Sequence, residues 1–129
     1  MEFGVIVLDI NFLKETNDRY GHDVGNKLIV AAAGIISGTF KRSPVFRIGG
    51  DEFLVILQNR DLEALPGLLK KLDEEASNET ITVDKEVIPV SIAKGFAKYE
   101  PKKDTNFIDV FNRADDAMYD DKREMKGLK

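Results

Sequence analysis

Short apolar runs alternate with polar breaks along the whole chain, and their periods separate strands from helices. Phe3-Gly4-Val5-Ile6-Val7-Leu8 is a β-branched run that closes on Asp9. Such a run reads as a strand buried on both faces, with Asp9 at its carboxyl end. The polar stretch from Asn17 to Asp23 leads into a helix over about residues 24–36, where Val24, Leu28, Ala31, Ala32 and Ile35 recur at helical spacing and Gly38 supplies a stop. Pro44 introduces Val45-Phe46-Arg47-Ile48, and Phe53-Leu54-Val55-Ile56-Leu57 follows after Gly49-Gly50-Asp51-Glu52. Two strands around a short glycine-containing turn predict a β-hairpin. Residues 62–76 carry the mixed charge and apolar period of a surface helix, and residues 80–83 and 87–97 read as strands, with Asp84-Lys85-Glu86 turning between them. Phe107, Val110, Phe111, Ala114 and Met118 mark one face of a last helix.

Strand, helix, hairpin, helix, strands, helix is the order of an α/β (α+β) sandwich. Its central sheet is mainly antiparallel, because the middle strands are joined by a hairpin rather than a crossover helix, and helices pack on it. A chain of 129 residues suits one compact domain, 1–129. Its 43% hydrophobic and 33% charged composition is that of a globular protein. The longest apolar run, Leu28 to Ile36, is far shorter than the roughly 20 residues that span a bilayer, and no charged-then-apolar leader opens the chain, so a soluble domain without membrane insertion is expected. The absence of cysteine removes disulfides and thiolate metal sites and fits a reducing cytoplasm. A net charge of −4 and a pI near 5.1 disfavour an extended nucleic-acid surface but not a single nucleotide held with metal ions. An RNA-binding sheet would need basic and aromatic residues where Val5, Val7, Val55 and Leu57 stand.

Carboxylates therefore carry the candidate chemistry. Asp9 ends a buried strand and Asp51-Glu52 occupy a hairpin tip, so these groups converge on one sheet edge if the strands are neighbours. Convergent carboxylates repel unless positive charge sits between them, and a pair of Mg²⁺ ions held by hard oxygen ligands answers that repulsion. Taken singly, Asp9 is a strand-end residue and Asp51-Glu52 a solvated turn. Their conjunction with Gly49-Gly50 points to a two-metal site.

Arg47-Ile48-Gly49-Gly50-Asp51-Glu52-Phe53 resembles the GGDEF signature of diguanylate cyclases, and the segment Leu8 to Asn26 resembles that family's upstream block. Arg113-Ala114-Asp115-Asp116-Ala117-Met118-Tyr119 and Lys122 resemble its closing helix, so the likeness runs nearly the length of the chain. The resemblance implies a ferredoxin-like, nucleotidyl cyclase palm-type fold. It also implies condensation of two GTP into cyclic di-GMP with loss of pyrophosphate, by a homodimer in which each protomer holds one GTP. The implied cofactor is Mg²⁺ or Mn²⁺, two per active site, held by Asp9, the Ile10 carbonyl and Asp51, with Asp51 or Glu52 deprotonating the attacking hydroxyl. Main-chain groups of Phe12, Leu13 and Lys14 would cradle the terminal phosphates with Lys122 and Lys126, and Asn17 and Asn26 would face guanine. Without the resemblance, the two lysines are basic residues suited to a helix carboxyl end, and the two asparagines are a turn residue and a first-turn helix residue. His22, the single histidine, takes no catalytic role.

Departures from the family pattern are specific. The usual opening segment and helix are missing before the first strand, so the domain is N-terminally truncated relative to the family. Asn11 replaces a second Asp, Leu13 a Phe, Lys126 an Arg and Met125 a Gly, and Asn26 replaces the guanine-reading Asp. Phe40-Lys41-Arg42-Ser43 lacks the Arg-x-x-Asp of the allosteric product site, so none is expected. The alternative to an active cyclase is a degenerate domain that holds GTP as a regulatory ligand. A sensory or receiver domain is expected in the full-length protein, which could itself be membrane-anchored.

Overall fold

The computed structural model describes residues 2–125. Its elements run β1 (Gly4–Ile10), α1 (Leu13–Tyr20), α2 (His22–Thr39), β2 (Val45–Arg47), β3 (Glu52–Leu57), α3 (Asn59–Glu63), α4 (Leu65–Ser77), β4 (Thr80–Val83), β5 (Glu86–Pro89), β6 (Ile92–Lys98) and α5 (Phe107–Met125). Four strands form an antiparallel sheet in the order β2-β3-β1-β6, and β4 and β5 form a separate two-stranded ribbon. The expected sandwich with a central antiparallel sheet is the fold observed. Among the described residues, no helix is long and apolar enough to cross a membrane.

β1 is central because it can be buried on both faces, and all seven of its residues are. Its alternation feeds two cores. Ile6, Leu8 and Ile10 face a cluster with Leu28, Ala32 and Ile36 of α2 and Leu72 of α4, whereas Val5 and Val7 join Val110, Ala114 and Met118 of α5 on the other side. Helix α5 lies very close to the sheet at Gly95, where a Cβ would fall 2.0 Å from the Met118 nitrogen and 2.3 Å from the Ala114 oxygen.

The elements differ from expectation in five places. β1 continues through Asp9 to Ile10, because Asp9 pairs with Glu52 on one side and Ala93 on the other. The polar stretch that begins at Asn17 overlaps the second half of α1, a helix whose burial is confined to Leu13 and Thr16 and so leaves no apolar period to read. The helix expected over 62–76 breaks at Ala64. Pro66 suits the first turn of a new helix but would clash inside a continuous one. The strand expected over 87–97 divides into β5 and β6, which serve different sheets. Between them, Val90 N–H donates to Glu79 and Asn11 N–H to Ser91. Gly38 does not stop α2, which runs one residue further.

Candidate active site

The β1–β3 register sets the geometry of the acidic group. Asp9 and Glu52 are direct partners across that ladder, and the Ile10 N–H donates to the Asp51 carbonyl at 2.9 Å. One oxygen from each of Asp9, Asp51 and Glu52 lies within 4.8 Å of the others. The turn that carries Asp51 is held by Arg47, whose guanidinium donates to the carbonyls of Gly49 at 3.1 Å and Gly50 at 2.8 Å, while Ile48 N–H closes on Glu52. In the sequence Arg47 is no more than the residue that opens the motif. Its work is to fold the tip back so that the carboxylates reach β1.

Asp9 is buried, and its Oδ1 has no hydrogen-bond partner among the described residues. Its Oδ2 takes the Lys122 ammonium at 3.1 Å. Burial pushes the Asp9 carboxyl up to about 6; Lys122 opposes this and Asp51 adds to it. Glu52 is also raised, by burial first and then by the charges of Asp115 and Asp51. Asp115 is itself raised by burial and by Asp116. Asp115 and Lys122 stand seven residues apart on α5 and so share the face that looks onto Glu52 and Asp9. That spacing was the signal that could have assigned Asp115 to the site.

An orphaned buried carboxylate oxygen and three hard oxygen donors in reach of one another, met among the described residues by the Lys122 ammonium, fit an Mg²⁺ or Mn²⁺ site. Asn11, where a further Asp was expected, is buried with its amide donating to Ser91 Oγ at 3.0 Å. A neutral amide there avoids adding another buried carboxylate to the group.

Phe12 turns the chain from β1 into α1 with a left-handed backbone, φ 66°. Thr16 fixes it by donating to the Phe12 carbonyl from both N–H, at 2.9 Å, and Oγ1, at 2.7 Å. The Leu13 and Lys14 N–H groups precede that first helical bond, so they lie at the positive end of α1, next to the acidic group in sequence. Asn17 lies against α2 at Gly25, where a Cβ would sit 1.7 Å from the Asn17 Oδ1. Asn26, the next residue of α2 after Gly25, is exposed. Lys126 lies outside the described residues. His22, expected in a loop, is the first residue of α2.

Comparison with known proteins gives the arrangement a family. The family model "Diguanylate cyclase, GGDEF domain" matches residues 1–127. Diguanylate cyclase A of Treponema denticola is 31% identical over 120 residues, which cover 92% of this chain and 32% of that protein. The probable diguanylate cyclase DgcT of Escherichia coli K12 is 31% identical over 121 residues, covering 92% of this chain and 26% of that protein. The chain thus spans about a third or less of the length of these relatives. Among solved structures, the diguanylate cyclase SiaD of Pseudomonas aeruginosa, in complex with its activator SiaC, superposes with TM-score 0.84 at 27% identity over 95% of this chain and 47% of its own. The GGDEF domain of DgcB from Caulobacter crescentus, in complex with c-di-GMP, gives 0.81 at 26% identity over 98% of this chain and 74% of its own. A strand pairing that delivers Asp9 to the Gly-Gly-Asp-Glu-Phe turn is therefore one instance of a shared domain, and the chain belongs to the GGDEF-domain diguanylate cyclase family.

Proposed function

We propose that residues 1–129 act as a single GGDEF domain that condenses two GTP into cyclic di-GMP and two pyrophosphates. The observation that carries this reading is the convergence of Asp9, Asp51 and Glu52 within 4.8 Å at the end of the β1–β3 ladder. Asp9, the Ile10 carbonyl and Asp51 would hold Mg²⁺ or Mn²⁺, two ions per site. When bound, the ions neutralise phosphate charge and ease ionisation of a hydroxyl. The 3′-oxygen of one GTP attacks the α-phosphorus of the other; the bond to the β-phosphate breaks and pyrophosphate leaves. Glu52 or Asp51 takes the hydroxyl proton. N–H groups at Phe12, Leu13 and Lys14 orient the outer phosphates, with Lys122 and Lys126 supplying positive charge, and Asn17 and Asn26 face the base.

One protomer supplies one GTP, so turnover requires two domains face to face about a two-fold axis. Because relatives of this chain extend well beyond the domain, and SiaD is found with an activator, we assign control of that pairing to a sensory, receiver or activator module. GTP places the reaction in the cytoplasm. The test is to incubate the protein with GTP and Mg²⁺ and identify products by mass spectrometry. Cyclic di-GMP is expected, and Asp51→Asn should abolish it while leaving the circular dichroism spectrum unchanged. GTP binding with no product, across protein concentrations that span dimer formation, would establish the GTP-holding regulatory domain instead.

A further inference from the structure

Lys122 projects from α5 onto Asp9 with its ammonium 3.1 Å from Oδ2, and the two side chains are only 19% and 9% exposed. Among the described residues this partly desolvated pair belongs to a group of three carboxylates met by one ammonium, and the second Asp9 oxygen is unpartnered. The group is under-neutralised. A lysine is suited to temporary service there, because its charge is a point on a flexible stem, whereas an arginine fork would grip the carboxylate at two points. The root of the stem is fixed, since α5 is seated against β6 at Gly95. Only the side chain needs to move.

We infer that Lys122 is a placeholder cation: its ammonium neutralises Asp9 until a divalent ion takes that role, and the ion's arrival frees Lys122 to engage the nucleotide's phosphates. The inference rests on the reading of Asp9, Asp51 and Glu52 as metal-holding residues. Without nucleotide, an incoming ion must displace the ammonium and leave it near a second positive charge, so metal binding is weak. With a triphosphate present, the displaced ammonium has an anion to meet. Metal and nucleotide therefore bind cooperatively, and the coupling is reciprocal, each tightening the other by the same factor. Asp9 selects the ion only when Lys122 has somewhere else to go.

The experiment is a Mn²⁺ titration of the full chain followed by electron paramagnetic resonance of the free ion, with and without a non-hydrolysable GTP analogue. Lys122→Met should bind Mn²⁺ at least about tenfold more tightly than the unaltered protein when nucleotide is absent, because a unit charge beside Asp9 has gone. It should also lose most of the tightening that the analogue produces. Lys122→Gln gives the same comparison if the methionine variant does not fold. A third measurement needs no variant: Mn²⁺ should raise the amine-labelling rate of Lys122, read by peptide mass spectrometry, relative to Lys70 on the exposed face of α4. Unchanged or weaker Mn²⁺ affinity in a folded variant, or labelling that Mn²⁺ leaves unchanged, overturns the placeholder. Absence of Mn²⁺ binding by the unaltered protein and by every variant, Asp9→Asn included, overturns the metal-site reading on which it rests.

Discussion

At the residue scale, the base-facing role proposed for Asn26 makes a prediction about how tightly guanine is held. Guanine presents adjacent N1–H and N2–H donors that one carboxylate accepts together, whereas Asn26 offers a single accepting oxygen and a competing NH₂. Asn26→Asp is expected to tighten GTP binding by about 1–3 kcal/mol in a desolvated pocket and to widen the preference for GTP over ATP about tenfold. Dissociation constants for both nucleotides with both proteins check this; an unchanged ratio would remove position 26 from base reading. Asp104 makes a different kind of contact, far from the acidic group. It accepts from Arg113 Nε at 3.1 Å and again from Nη2, and from the Glu100 N–H at 2.8 Å, and the Arg113 pairing holds its carboxyl below the ordinary value of 3.8. A depressed carboxyl adds stability that is fully present above the ordinary value and is lost as pH falls through the lower, native one. Asp104→Asn should therefore lower the melting temperature at neutral pH, and the gap should close below about pH 4. Melting curves from pH 2 to 7 would show it, and a gap that widens in acid would contradict the sign.

At the scale of elements, α5 is the part on which the site depends most. It brings Asp115 and Lys122 to Glu52 and Asp9, and it can do so only because Gly95 lets its backbone touch β6. An added methyl would strike main-chain atoms of Met118 and Ala114, which no rotamer change relieves. Gly95→Ala is expected to cost about 3 kcal/mol, seen as a lower denaturant midpoint, and to weaken nucleotide binding in whatever fraction stays folded, since Lys122 is carried outward. Gly34→Ala on α2 is the control. No atom crowds that position, and helical Gly→Ala without a clash should be neutral or stabilising by about 0.5–1 kcal/mol.

At the scale of the whole molecule, the proposed reaction assigns one GTP to each of two domains. Specific activity should rise with protein concentration and level off once pairs are saturated, and two inactive forms broken at different positions, Asp51→Asn and Asn17→Ala, should not rescue each other. Each half-site needs its own GTP correctly held, so a mixed pair still lacks one. Strict proportionality of rate to concentration at dilutions where ultracentrifugation shows only monomer would contradict this requirement.

The sequence by itself determined β1, the β2–β3 hairpin, the two long helices and the acidic candidates, because each rests on local periodicity or on a turn of fixed chemistry. Val5 to Leu8 reads as a buried strand from its β-branched run, and Gly49-Gly50 marks a turn between two apolar strands. It did not reveal α1, since a helix that buries only Leu13 and Thr16 carries no apolar stripe, nor the break at Ala64, nor the parting of β5 from β6. Those depend on what the segments pack against. The tertiary structure alone decided that Asp9 sits inside the β1–β3 ladder opposite Glu52, that Lys122 closes on it, and that Asp115 loads the same cluster. Residues separated by 43 positions, as Asp9 and Glu52 are, or by 113, as Asp9 and Lys122 are, meet through strand register and helix docking, and no local pattern encodes either.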